Sequence, residues 1–284
     1  MNWLTKAISK VFPKKKKSLD VPENSWLKCN KCQAMLYHTD LEKSLFVCKN
    51  CDFHLQIHPR LRLKNLFDGG EFEELEYDDR FSDPLNWKDR VSYKQRWQEA
   101  RDSAGTNEVF LLGVGKINGI RTCVAAMNYF FLNGSVGISG AEALIKGSEF
   151  CVSENIPLVI FGCSGGMRMQ TGILSLSTLQ KMTIAMSLVK DAGLPTVNVI
   201  VDPCFGGTMA SYMSLSHVIL AEPEARAGFA GRRVVEQVAG EELSPDFQSS
   251  ENLLKNGQID MIVHRADMKN KLSTILSLLL KKVA

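Results

Sequence analysis

Four cysteines stand in two pairs, Cys29-x2-Cys32 and Cys48-x2-Cys51, separated by fifteen residues. Each pair can turn two thiolates toward one point, and the loop between them lets both pairs converge on a tetrahedral ion. Four thiolates leave no ligand position for water, so the spacing predicts one structural Zn2+ and not a catalytic one. His38, His54 and His58 lie nearby but are read as surface or packing residues, because the thiolates suffice. Lys28, Lys31, Lys43 and Lys49 make the segment basic, and Tyr37, Phe46 and Phe53 are of a type that stacks on bases. Nucleic-acid binding is therefore a secondary reading, since a module this small needs its aromatics for its own packing.

A second chemistry is written in glycine. Ser164-Gly165-Gly166-Met167-Arg168-Met169-Gln170 follows an apolar run and precedes a long helical pattern. Paired glycines let a ligand approach backbone N–H groups, and a following helix N-terminus favours negative charge. The segment suits a phosphate or a developing oxyanion; a tight strand-to-helix turn with no ligand is the alternative. It is not a phosphate-binding P-loop, because G-x4-G-K-[ST] is absent. The pattern recurs at Asp202-Pro203-Cys204-Phe205-Gly206-Gly207, while Asn133-Gly134-Ser135-Val136-Gly137 offers further backbone donors. No G-x-S-x-G elbow occurs, and Cys163 and Cys204 have apolar flanks that favour inert packing. Backbone electrostatics, more than side-chain acid–base work, is the expected chemistry.

The elements that must position these residues follow from pattern. Val109–Ile117 and Ile120–Phe131 are β-rich and joined by Asn118-Gly119, a hairpin turn signal. Helices are expected over Ser139–Asn155, Met167–Lys190, Thr208–Leu215, Val234–Val238, Ser249–Lys255 and Met268–Val283, and one around Ser92–Ala104 ended by Gly105. Strands are expected at Leu158–Phe161, Thr196–Val201, Val218–Ala221 and Ile259–Val263. Alternation of strand and helix predicts parallel β-α-β units. Residues 1–24 read as a flexible basic leader, 25–60 as the zinc ribbon and 61–284 as the main domain.

Composition excludes several classes. The 284 residues are 45% hydrophobic with a net charge of +3, which fits a globular core and gives no general case for nucleic acid. No apolar run reaches the roughly 20 residues that span a bilayer. The eight cysteines, four paired and four scattered in apolar stretches, predict a reducing cytoplasm.

From about Trp26 to the C-terminus the chain resembles the β subunit of bacterial and plastid acetyl-coenzyme A carboxylase carboxyltransferase. The four-cysteine ribbon carries the resemblance, with Gly134-Ser135-Val136-Gly137, Ser164-Gly165-Gly166-x-Arg168-Met169-Gln170, Asp202-Pro203-x-x-Gly206-Gly207, Ala221-Glu222-Pro223, Gly228-Phe229-Ala230-Gly231 and Ile259-Asp260-Met261-Ile262-Val263. It implies a crotonase-like α/β spiral of ββα units behind the ribbon. It implies carboxyl transfer from carboxybiotin, held in trans on the biotin carboxyl carrier protein, to acetyl-coenzyme A, giving malonyl-coenzyme A for fatty acid synthesis. The partners implied are an α subunit in an α2β2 heterotetramer and a biotin carboxylase, within an ATP-dependent cytoplasmic complex. The expected oxyanion donors are the N–H groups of Gly165 and Gly166, with substrate contacts at Gly134, Ser135, Val136, Gly137, Gly206 and Gly207. Two readings fit Arg168: it meets coenzyme A phosphates, or it forms a structural ion pair. Three positions depart from the family pattern: Met167 where Ala is usual, Asn128 where Asp is usual, and Arg232 where Pro is usual.

Overall fold

A computed structural model describes residues 25–240 and 242–280. The leader expected over residues 1–24 lies outside the described residues, as do residues 281–283 of the helix expected over Met268–Val283.

The ribbon comes first. Strands β1 (Trp26–Lys28) and β2 (Met35–Tyr37) pair antiparallel, and α1 (His38–Lys43) follows. Cys29, Leu36, Leu41 and Cys48 bury themselves in a small cluster of their own, flanked by Phe46 and Phe53. Next come α2 (Pro59–Leu66), the short β3 (Glu73–Glu74) and α3 (Tyr93–Ala104). Ser92 caps α3 by accepting from the Gln95 N–H at 3.2 Å, and Gly105 ends it in the left-handed conformation.

The main sheet begins with β4 (Phe110–Ile117) and β5 (Ile120–Met127), a hairpin in which Ile117 faces Ile120. Asn118 and Gly119 both have positive φ, as this two-residue turn requires. Then α4 (Ile138–Glu154) leads to β6 (Leu158–Ser164), α5 (Ile173–Asp191) to β7 (Thr196–Phe205), and β8 (Val218–Ala221) follows. The chain closes with β9 (Ala227–Gly228), α6 (Arg232–Ala239), α7 (Ser250–Lys255), β10 (Met261–Ile262) and α8 (Met268–Leu280).

The sheet order is β10-β8-β7-β6-β5-β4-β3, with β9 paired to β7. β3–β4 and β4–β5 are antiparallel, and the pairs from β5 to β10 are parallel. Every residue of β6 is buried, which is why its sequence reads as one apolar run. The two parallel strands β6 and β7 end at the two glycine pairs, so the topology brings those pairs to one edge.

Two expectations fail. The helix expected from Met167 begins only at Ile173, after a 3-10 turn at Met169–Thr171 and Gly172. Backbone pairing of Val136 with Gly166 and Arg168 holds residues 166–168 extended. The helix expected over Thr208–Leu215 is a turn plus a 3-10 segment at Tyr212–Ser214. No described helix is long and apolar enough to cross a membrane.

Candidate active site

Gly166 and Gly206 meet back to back: a Cβ added to Gly206 would lie 3.2 Å from the Gly166 Cα. Gly166 has φ +114°, a conformation that side chains strain to adopt. Gly207 lies under the Met167 side chain, and a Cβ there would stand 2.6 Å from the Met167 Cγ. The two glycine pairs thus form one junction, and Met167 is its side-chain wall.

Ser164 is the pin of this junction, and sequence reasoning did not single it out. Its buried hydroxyl donates to the Gly134 carbonyl at 2.7 Å. It accepts from the Gly166 N–H at 3.0 Å and from the Thr208 hydroxyl at 3.0 Å. The signal was present as a hydroxyl residue set between an apolar strand and a glycine pair.

The expected donors are already engaged. The Gly165 N–H donates to the Asn133 carbonyl at 2.9 Å, and the Gly166 N–H to Ser164. Gly206 donates to the carbonyls of Gly228 and Phe229, at 3.0 and 2.9 Å. Gly134 and Ser135 donate to Phe131 and Leu132. Within the two glycine-pair loops, Met167 and Gly207 have N–H groups without a partner among the described residues, and the nearby N–H groups of Gly137, Thr208 and Met209 have none either. Val136 takes up the carbonyl of Gly166 and the N–H of Arg168, so by strand alternation the Met167 N–H points away from Val136. Gly137 is the buried N-cap of α4, with a built Cβ 3.0 Å from Arg168 Nη1.

Of the two readings for Arg168, the geometry supports the structural ion pair. It is 1% exposed and its five N–H donors all have partners within the chain. It binds both oxygens of Glu108 at 2.6 and 3.1 Å, the Tyr93 hydroxyl at 3.0 Å, the Ser135 hydroxyl at 3.2 Å and the Ser135 carbonyl. Burial alone would lower its pKa, but Glu108 and then Tyr93 reverse that and hold it above its ordinary value. The role of Arg168 is to lock residues 135–137 to the glycine junction. Asn128, where the family pattern has Asp, is fully buried and donates its amide to the Ala104 carbonyl at 3.0 Å. An ionised carboxylate has no proton for that bond.

Cys163 and Cys204 are buried, which disfavours the thiolate form a nucleophile needs. Burial pushes Cys163 well up, and its S–H donates to Gln56 Oε1 and the Asp202 carbonyl. Burial pushes Cys204 up to about 12.

The metal centre fits its expected ion. The four Sγ atoms of Cys29, Cys32, Cys48 and Cys51 lie within 4.8 Å of one another. The Cys29–Cys51 and Cys32–Cys48 separations are both 3.7 Å. Zn–S bonds of about 2.3 Å in a tetrahedron require about 3.8 Å. Phe46 and Phe53 pack against the ribbon's own cluster, and Tyr37 stacks on Trp26 at 5.2 Å. Lys31 pairs with Glu224, and Lys49 stands 3.8 Å from Asp40.

The ribbon is fastened to the sheet by a buried carboxylate that the sequence shows within Ala221-Glu222-Pro223 but gives no role. Glu222, at the end of β8, is 1% exposed. It accepts from Arg265 Nε at 2.9 Å and Arg62 Nη1 at 2.7 Å, and Arg265 Nη2 also pairs with it. Burial pushes Glu222 up, yet Arg265 and Arg62 outweigh it and hold the carboxyl well below its ordinary value. Arg265 Nη1 reaches across to the ribbon carbonyls of Leu45 at 2.8 Å and Leu55 at 3.0 Å. Gln56 donates to the Asp202 carbonyl, four residues before Gly206.

Comparisons with known proteins agree with this layout. The carboxyl transferase domain family matches residues 60–282, and the acetyl-CoA carboxylase zinc finger domain matches residues 26–51. The chain is 40% identical over 284 residues to the acetyl-coenzyme A carboxylase carboxyl transferase subunit beta of Sinorhizobium medicae, covering 100% of this chain and 93% of that protein. It is 41% identical to the same subunit of Liberibacter asiaticus, with full coverage of both chains (100% each). Among solved structures, transcarboxylase 12S superposes with TM-score 0.63 at 26% identity, over 77% of this chain and 41% of that one. A Pseudomonas malonate decarboxylase hetero-dimer superposes with TM-score 0.60 at 23% identity, over 79% and 86%, and shows the shared fold. The chain belongs to the carboxyl transferase family, in the branch of the acetyl-coenzyme A carboxylase β subunits that carry a zinc ribbon.

Proposed function

We propose that the chain is the acetyl-coenzyme A half of a biotin-dependent carboxyl transferase, producing malonyl-coenzyme A for fatty acid synthesis. Biotin, carried in trans, would supply the carboxyl group and then the base for the acetyl proton. The chain's own part is to hold the thioester and stabilise the charge that develops on its oxygen. The observation that carries this reading is the glycine junction, which offers backbone donors at the ends of β6 and β7. Because Gly165 and Gly166 are engaged, the proposed donors are the N–H groups of Met167 and Gly207. A donor of this kind contributes about 3–4 kcal/mol to transition-state stabilisation.

The reading requires an α subunit for the biotin side, in a heterotetramer, with the carrier protein and an ATP-using biotin carboxylase in the cytoplasm. A partner is supported by apolar side chains that nothing covers in this chain. Ile173, Leu176, Ile184 and Leu188 lie on one face of α5 and are exposed, as are Phe229, Val234 and Val238 around α6. The deciding experiment combines the full chain, the α subunit, malonyl-coenzyme A and biocytin. Reverse transfer is expected only when both subunits are present. An assembled complex without turnover overturns the proposal.

A further inference from the structure

A cavity of about 180 Å³ lies where the ribbon, α2 and the start of α8 meet. Arg62, Arg265 and Phe161 form its buried floor, and Asn65, Ala266 and Asn270 form its exposed rim. That is far more than the ~15 Å³ that admits one water.

The charges on the floor do not balance. Two guanidiniums, each less than a tenth exposed, converge on the single carboxylate of Glu222. His54 Nδ1, 3.4 Å away, leans on the same carboxylate. Arg265 directs its Nε and both Nη atoms at Glu222 and at ribbon carbonyls. At the rim, Lys269 is neutralised by Asp68 at 2.8 Å.

Arg62 is different. It is 8% exposed, and its side chain makes one hydrogen bond, from Nη1 to Glu222. Among the described residues its Nε and Nη2 have no partner. Its guanidinium carbon stands 4.8 Å from the Phe161 ring centre, a contact that leaves the N–H edge free. Burial pushes the Arg62 guanidinium below its ordinary value in spite of Glu222. A guanidinium still keeps its proton at neutral pH, so the unpartnered edge of Arg62 presents positive charge to the cavity.

We propose that this cavity is a binding site for a small free oxyanion of phosphate size, received by the Nε–Nη2 fork of Arg62. That planar fork matches two oxygens of one oxyanion. The site is lined by the ribbon, α2, Phe161 of β6 and the start of α8, and its proposal does not depend on the function proposed above. An anion there would balance the cluster that fastens the ribbon.

The test is equilibrium dialysis of the zinc-loaded full chain against radiolabelled inorganic phosphate, with chloride balancing ionic strength. One saturable phosphate per chain is expected, together with a phosphate-dependent rise in Tm. Arg62→Met should abolish both. Ala266→Glu places a carboxylate at the exposed rim and should also exclude phosphate, with a Tm in phosphate-free buffer no lower than that of the parent. If Arg62→Met does not fold, Ala266→Glu decides alone. Absence of saturable binding in the parent, or binding undiminished in the folded variants, overturns the proposal.

Discussion

Arg168 and Glu108 illustrate how a residue near a reactive loop can act without meeting substrate. Their ion pair is buried, bidentate and completed by Tyr93 and Ser135. Arg168→Met leaves Glu108 charged and dry, which should cost about 3–5 kcal/mol of stability. Adding Glu108→Leu should recover part of that loss, because the orphaned charge disappears. Urea unfolding of the two variants checks this; equal loss in single and double variants would refute the pairing argument. The glycine junction makes a second residue-scale prediction. Gly207→Ala drives a methyl into Met167, so turnover should fall about 10–100-fold as the proposed donors shift, at or below the roughly 10²–10³-fold that outright loss of such a donor costs. Met167→Ala in the same chain opens that space and should restore turnover. Steady-state rates of the reconstituted enzyme decide, and no rescue would remove Met167 from the wall of the site.

At the scale of elements, much could be read from the sequence because local chemistry settles it. Asn118-Gly119 demands a hairpin, Ser92 and Gly105 bound α3, and the apolar run in β6 needs cover on both faces. Misreadings fell where tertiary pairing overrules propensity. Residues 167–172 carry helical side chains, but Val136 holds residues 166–168 extended and a 3-10 turn follows at Met169–Thr171, so α5 starts late. The site was legible as glycine pairs and illegible in its donors. Which N–H is free depends on Asn133 and Ser164, contacts set by tertiary packing and not by spacing. The clamp on the ribbon was hidden for the same reason, since Arg62, Glu222 and Arg265 are far apart in sequence. That clamp has a pH signature. Glu222 is held below its ordinary pKa, so it adds stability above pH ~4.3, the unfolded value, and loses it as pH falls through the folded value. Glu222→Gln should therefore be less stable than the parent at pH 7, with the gap narrowing below pH ~4. Denaturation of both proteins across pH 3–7 (roughly the span over which a carboxylate titrates) tests it, and a constant gap would count against the clamp. Zinc loss in acid affects both chains and cancels in the difference.

For the molecule as a whole, the ribbon is joined to the sheet at the ends of the strands that carry the chemistry. Arg265 ties Leu45 and Leu55 to Glu222, and Gln56 reaches Asp202 and Cys163 at the ends of β7 and β6. The ribbon's own core is four buried residues, too few to fold without its metal. Chelation should therefore melt residues 26–55 first while the large sheet core persists. Gln56 would then release Asp202, and the glycine junction would lose one of its outer supports. The expected order on adding chelator is loss of zinc, loss of hydrogen-exchange protection in the ribbon, loss of turnover, and only later loss of the sheet's circular dichroism. Arg265→Met should produce the same order at lower chelator, because the ribbon is held by fewer bonds. Turnover that survives complete zinc removal would show that the ribbon does not support the reactive edge. Simultaneous collapse of ribbon and sheet would show instead that the two are one folding unit, with the metal supporting the whole chain.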